Sequence, residues 1–264
     1  MGHVRLGRIP ATRQWKQVIE YLKLGDISVT QLATAVADAS EKSLIKATSD
    51  PVFLEALCML GKLPQMVKEH GVQAGLAKVG IQVSANPSAV EILTGVNSAI
   101  ETVQRTPGAK TTDLGEMAKQ AAVHALSEAI NDFGPQLWTP NNTDVHTTVA
   151  SFAAPEKFGE LAYRFFANVA ERNLKYYTDR MIPHYLGSDR VKSVGDMAGF
   201  DNALGLHCKE AALIMRPFAK DWHGKLVFQS KKPIDAKNVK GFADVSFKKI
   251  NKEFAIRGNA NGTA

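Results

Sequence analysis

The chain has 264 residues, 45% of them hydrophobic and 22% charged, with a formal net charge of +6. That is the length of one large domain or two small ones, and the mixture of an ordinary globular protein able to bury a sizeable core. Its two cysteines, Cys58 and Cys208, lie far apart without CxxC spacing, which indicates neither a disulfide framework nor a zinc ribbon.

The N-terminal stretch carries positive charges but no apolar signal-peptide core, and Leu6 stands where a myristoylation signal needs Ser or Thr. No apolar run approaches the length needed to cross a bilayer. The expectation is a soluble, cytoplasmic protein that does not meet a membrane.

The charge is unevenly placed. Residues 1–23 carry five cations against Glu20 alone, a net +4, and residues 220–264 carry ten against four carboxylates, a net +6, leaving −4 between. If the two basic ends meet in space, Arg5, Arg8, Arg13, Lys231, Lys232, Lys248 and Lys249 form a surface suited to a polyanion. The competing expectation is that these cations only solvate exposed terminal helices.

In chain order, helix follows helix. The first runs from about Thr12 to Leu24 and stops at Gly25; the second follows Ser28. Asp50 is placed to cap a third, with Pro51 at its first position, and Pro64 is expected to break or kink it. Asn86 and Pro87 repeat the device for the next helix. Asp113 and Glu116 have capping-box spacing at the start of another, and Gly134-Pro135 ends it. The turn-rich "GPQLWTPNNT" (134–143) separates an N-terminal half, 1–134, from a C-terminal half with a basic tail, 143–257; the two can equally form one continuous domain.

The helix starting near Pro155 is assigned Phe158, Tyr163, Phe165, Phe166, Tyr176, Tyr177 and Tyr185. Its apolar side chains cover roughly 220° of the circumference, too much for a surface helix, so it is expected to be central to the second half. Asn173 falls inside that arc and needs partners on a neighbouring helix; Arg180 falls near its middle.

On the next helix Phe200, Leu204, Ala211, Ile214, Met215, Phe218 and Trp222 share one face. His207 lies within that seam and Cys208 at its edge, pointing about 100° away, so the two do not form a local dyad. Pro217 must kink or end the helix, and "KDWHGK" then approaches the basic tail. "GKLVFQ" (224–229) is the only run that could pair as a strand. In the last helix Val239, Phe242, Ile250 and Phe254 face inward.

These patterns specify an all-α fold, an irregular multi-helix bundle of about nine helices with little or no β structure. No phosphate loop, dinucleotide fingerprint, nucleophile elbow, zinc-finger spacing or His-Glu-x-x-His is found, so no cofactor, metal or catalytic residue is assigned. Arg180, His207, Arg216, Trp222, His223 and Lys225 are the candidate ligand or partner contacts. The first functional expectation is a non-catalytic helical subunit or adaptor of a multi-component intracellular assembly with a protein partner, in a bacterial accessory or defence-type system. The second is a nucleic-acid-binding protein using the basic ends. The third is an enzyme built around His207, Glu171 and Arg180. The sequence assigns no oligomeric state.

Overall fold

The computed structural model describes residues 11–24, 29–133, 142–181 and 194–260. Among them the fold is all-α, as expected. It has eleven α-helices rather than about nine, and no strand. They are α1 (Arg13–Leu24), α2 (Val29–Ala47), α3 (Pro51–His70), α4 (Val72–Lys78), α5 (Ala89–Arg105), α6 (Asp113–Phe133), α7 (Asn142–Ser151), α8 (Pro155–Met181), α9 (Val194–Ala212), α10 (Met215–His223) and α11 (Ala236–Ala260). The proposed boundary at 134–141 lies outside the described residues.

Helix α8 is the hub. It packs against α10, α6, α9, α2 and α3, which is what its wide apolar arc requires. It carries six of the seven aromatics assigned to it, because it ends at Met181 before Tyr185, which lies outside the described residues. Phe165 and Phe166 meet edge to face at 5.2 Å. Phe53 of α3 touches Phe165 at 5.6 Å and Phe247 of α11 at 5.7 Å, so α3, α8 and α11 share one aromatic centre. The buried side chains run as one cluster from Trp15 to Phe254, drawing on both proposed halves. α10 approaches α8 closely: a Cβ on Gly159 would lie 2.5 Å from the Arg216 carbonyl oxygen.

Asn173 is fully buried, but its partner is a hydroxyl rather than backbone. Its amide donates to Ser43 Oγ on α2 at 3.2 Å, and Tyr177 donates to the same oxygen at 3.3 Å.

Several local expectations are corrected. Pro64 stays inside α3 without ending it, and is itself buried. Ser88, not Asn86, caps α5: its Oγ accepts from the Glu91 N–H at 3.2 Å. Asp113 is already helical, and Thr112 precedes it, its Oγ1 accepting from the Leu114 N–H at 3.2 Å. Glu116 meanwhile accepts from Gln120 at 3.0 Å and pairs with Lys119 at 3.1 Å. "GKLVFQ" forms a π-helical turn closed by the Ser230 N–H on the Lys225 carbonyl at 2.9 Å. The expectation at Pro217 holds. α9 ends at Ala212 and α10 begins at Met215, so the carbonyl of Leu213, which Pro217 cannot serve, instead accepts from the Arg216 N–H at 3.2 Å.

Candidate functional site

The segment from α9 to α11 holds most of the candidates, and the structure divides them into packing groups and surface groups. Arg216 is a clamp between helices. Its guanidinium donates twice to Glu160 of α8, at 2.6 and 3.2 Å, and lies 4.3 Å from the centre of the Tyr163 ring. Glu160 also accepts from Arg164 at 3.2 Å, and Arg164 reaches Asp132 of α6 at 2.7 Å. The result is a chain of ion pairs tying α10, α8 and α6.

Trp222 stacks on Phe242 at 4.3 Å. His223 is fully buried and stacked on Phe158 at 4.5 Å. Its Nε2 lies 3.4 Å from the Gln65 amide, while Nδ1 has no hydrogen-bond partner among the described residues. Burial pushes its pKa down to about 4, so the ring is neutral at physiological pH. Trp222 and His223 therefore belong to the packing between α10, α8 and α11. Lys225, on the π turn, is exposed, as are Lys231 and Lys232 beyond it. Lys231 adopts φ 47°, uncommon for a side-chain-bearing residue.

His207 is buried between α2 and α11. Its Nε2 is 3.3 Å from Thr34 Oγ1, and its ring packs on Phe254 at 5.1 Å. Burial lowers its pKa, against the pull of nearby Glu210. Cys208, expected at the seam's edge, is instead completely buried on the α8 side, where burial pushes the thiol far above its ordinary range. The thiol is a core group there, because α9 meets α8 on that side. Cys58 is pushed up to about 12 for the same reason. Glu171 pairs with Lys175 at 2.8 Å and lies against Gly205, so it faces other neighbours than His207 does. The side chain of Arg180 lies outside the described residues, as do Arg5 and Arg8.

Of the basic ends, the described helices α1 and α11 each pack on α2, and not extensively on one another. Arg13 and Lys248 are exposed, whereas Lys249 is half-buried with its ammonium 4.9 Å from the centre of the Phe218 ring.

Two features escaped the sequence argument. A cavity of about 550 Å³ lies between the end of α5, residues 106–111 and the start of α6. On its wall Lys119 is nearly buried and bridges Glu101 at 2.9 Å and Glu116 at 3.1 Å. Burial disfavours its charge, but the two carboxylates outweigh that and raise its pKa. The second feature is the exposure of four aliphatic side chains: Leu206 on α9, Leu213 in the turn that follows it, and Val245 and Ile256 on α11. Spacing could have found these, since Leu206 and Leu213 are a heptad apart on the face opposite the seam.

Among the described residues no group of three or more His, Cys, Asp or Glu side chains is gathered as a metal site, and no helix is long and apolar enough to cross a membrane. Comparison with protein-family models, curated proteins and solved structures returns no match.

Proposed function

We propose that this protein is a non-catalytic helical subunit or adaptor that works through exposed surfaces of α9 and α11. The observation that supports this is the exposure of Leu206 on α9 and of Val245 and Ile256 on α11, aliphatic side chains left in water on helices that are otherwise well packed. The groups with the most chemical character in this region, Arg216, His207, Cys208 and His223, are engaged in helix packing. The test is site-specific photocrosslinking in cells that make the protein, with the photoreactive side chain placed at position 206 or 256, and at exposed Lys68 of α3 as the distant control. The expected result is a protein adduct from 206 and 256 and none from 68. Adducts from all three sites, or from none, would remove the proposal.

Nucleic-acid binding is the second reading. Lys231, Lys232 and Lys248 support it, being exposed and making no ion pair among the described residues. Anisotropy with a labelled duplex should then show affinity falling with salt, with a log–log slope of about −0.9 per phosphate contact. Replacing these three lysines and Lys249 by Gln should flatten that slope; no binding at low salt ends this reading.

A further inference from the structure

α5 and α6 are joined by a short loop whose shape follows from its sequence. Pro107 and Gly108 occupy the central positions of a turn, Gly108 with φ 82°, and the Ala109 N–H closes it on the Thr106 carbonyl at 3.1 Å. At the other end of the loop Thr112 is tied to Asp50 through its N–H and its hydroxyl, both at 2.7 Å. The loop is thus pinned at both ends, and it forms one wall of the cavity of about 550 Å³ between the end of α5 and the start of α6. That volume lies within the range of small-molecule sites.

The ionisable side chains lining the cavity are Arg105, Lys110 and Lys119 against Glu101 and Glu116, three cations to two carboxylates, a net +1. The carboxylates are satisfied within the protein. Glu101 Oε1 accepts from Lys119 at 2.9 Å and from Asn97 at 3.2 Å, and its Oε2 accepts from Arg105 at 3.0 Å. Glu116 Oε2 faces Lys119 at 3.1 Å, and its Oε1 accepts from Gln120 at 3.0 Å.

The donors are not all satisfied. An ammonium carries three N–H bonds, and Lys119 directs two of them to Glu101 and Glu116. With its pKa raised by those carboxylates, Lys119 stays an ammonium and offers a donor rather than a nucleophile. Lys110 is exposed and has no ion-pair partner among the described residues. Thr111 decides the matter. It is 3% exposed and lines the cavity, yet neither its hydroxyl nor its N–H makes a hydrogen bond among the described residues. Buried polar groups are nearly always partnered, so such a pair at a cavity wall calls for an acceptor in the cavity, water or ligand. The net positive charge favours an anion over water.

We propose that this cavity binds a small organic monoanion, its carboxylate accepting from the Thr111 donors while Lys110 and Lys119 supply the opposite charge. One negative charge balances the net +1, whereas a phosphate monoester, at about −1.5 to −2, would exceed it. Every carboxylate oxygen already faces a donor, so a cationic ligand would have to compete with Lys119, Arg105 or Gln120. The site stands on α5 and α6 and is independent of the adaptor reading.

The test is fluorine NMR of the full chain with three probes of one shape: para-fluorobenzoate, the neutral para-fluorobenzamide and the cationic para-fluorobenzylamine. The benzoate signal should shift saturably with protein, and the other two should bind at least about tenfold more weakly, since neither offers a charged acceptor. Thr111→Val should weaken benzoate binding by about tenfold, because it removes a hydrogen bond to a charged group. The urea midpoint of that variant should stay level or rise, because the hydroxyl it removes has no partner to lose. Lys110→Gln, at an exposed position, should weaken benzoate by about threefold, the scale of an exposed ion pair, and Lys68→Gln on α3 should leave it unchanged. Absence of a saturable shift at millimolar probe, equal binding of the three probes, or preference for the amine would overturn the proposal. So would displacement of benzoate by inorganic phosphate at lower concentration than by acetate, or full benzoate affinity in Thr111→Val. A lowered urea midpoint in Thr111→Val would assign the hydroxyl a structural role and equally sink it.

Discussion

Asp50 is where two helix starts depend on one carboxylate. It is 3% exposed; its Oδ1 accepts from the N–H groups of Val52 and Phe53 at 2.8 and 3.3 Å, capping α3. Its Oδ2 accepts from the N–H and the hydroxyl of Thr112, both at 2.7 Å, and Thr112 immediately precedes α6. Asp50→Ala removes a cap, about 1 kcal/mol, and the buried carboxylate's hydrogen bonds to Thr112, about 1.5–3 kcal/mol, for a loss of about 2.5–4 kcal/mol. Asp50→Asn is the sharper probe. In one orientation the new amide sets a donor against the Thr112 N–H; in the other it sets a donor against the two capping N–H groups. Either way one helix start is left unsatisfied, at about 2 kcal/mol. Gly115 provides an independent check, since a Cβ there would lie 2.5 Å from Asp50 Oδ1, so Gly115→Ala should also destabilise. Urea unfolding followed by circular dichroism at pH 7 measures all three. An Asn variant within about 0.5 kcal/mol of the parent would show that the shared carboxylate does not couple α3 to α6.

Phe165→Ala should cost about 3–5 kcal/mol, as a fully buried ring lost from contact with Phe53 and Phe166; a change below about 1 kcal/mol in a denaturant titration would deny α8 its central role. His223 has a folded pKa depressed to about 4, so between the ordinary histidine value near 6.5 and about 4 the unfolded chain binds the extra proton. Its contribution is fully present above that window and is lost as pH falls through it, by roughly 3 kcal/mol at most; His223→Phe, which keeps the stacking on Phe158, should flatten the acid limb of stability against pH. Cys208→Ser should lower stability by about 1–3 kcal/mol by burying a hydroxyl, while leaving the protein adducts from positions 206 and 256 unchanged. Loss of those adducts in that variant, still folded, would return the thiol to consideration as a functional group.

Those parts of the fold that periodicity and steric rules decide were legible. The apolar arc of α8 required several neighbours, and the stop before Pro217 follows from a missing donor. What failed were decisions that belong to tertiary context. Pro64 is expected to break or kink α3; the helix does not end there, since α3 is packed on α4, α5, α6, α7, α8 and α11, and that packing outweighs one missing hydrogen bond. "GKLVFQ" is too short for periodicity to separate strand from helix, and burial of Leu226 holds it as a π turn. Asn86 and Ser88 are both good caps. Ser88 is the one used, with the Glu91 carboxylate reaching back to the backbone and hydroxyl of Ser84.

The site was less legible because residue type alone does not say where a side chain ends up. The lysines of α11 make the point. Lys240 donates to the Thr48 carbonyl and Ser49 hydroxyl just past α2, Lys249 lies over Phe218, and Lys237, Lys248 and Lys252 have no ion-pair partner among the described residues. Five lysines on one helix thus serve three different ends, and the angle about the helix axis separates them. Counting charge along the sequence gives all five equal weight as a polyanion surface. Counting by contact leaves three, and by angle places Lys252 in the row of Val245 and Ile256. A phosphate backbone needs a row of cations without aliphatic interruption, whereas an amphipathic helix needs the two interleaved. The interleaving on α11 is therefore the physical reason to rank a protein partner above nucleic acid.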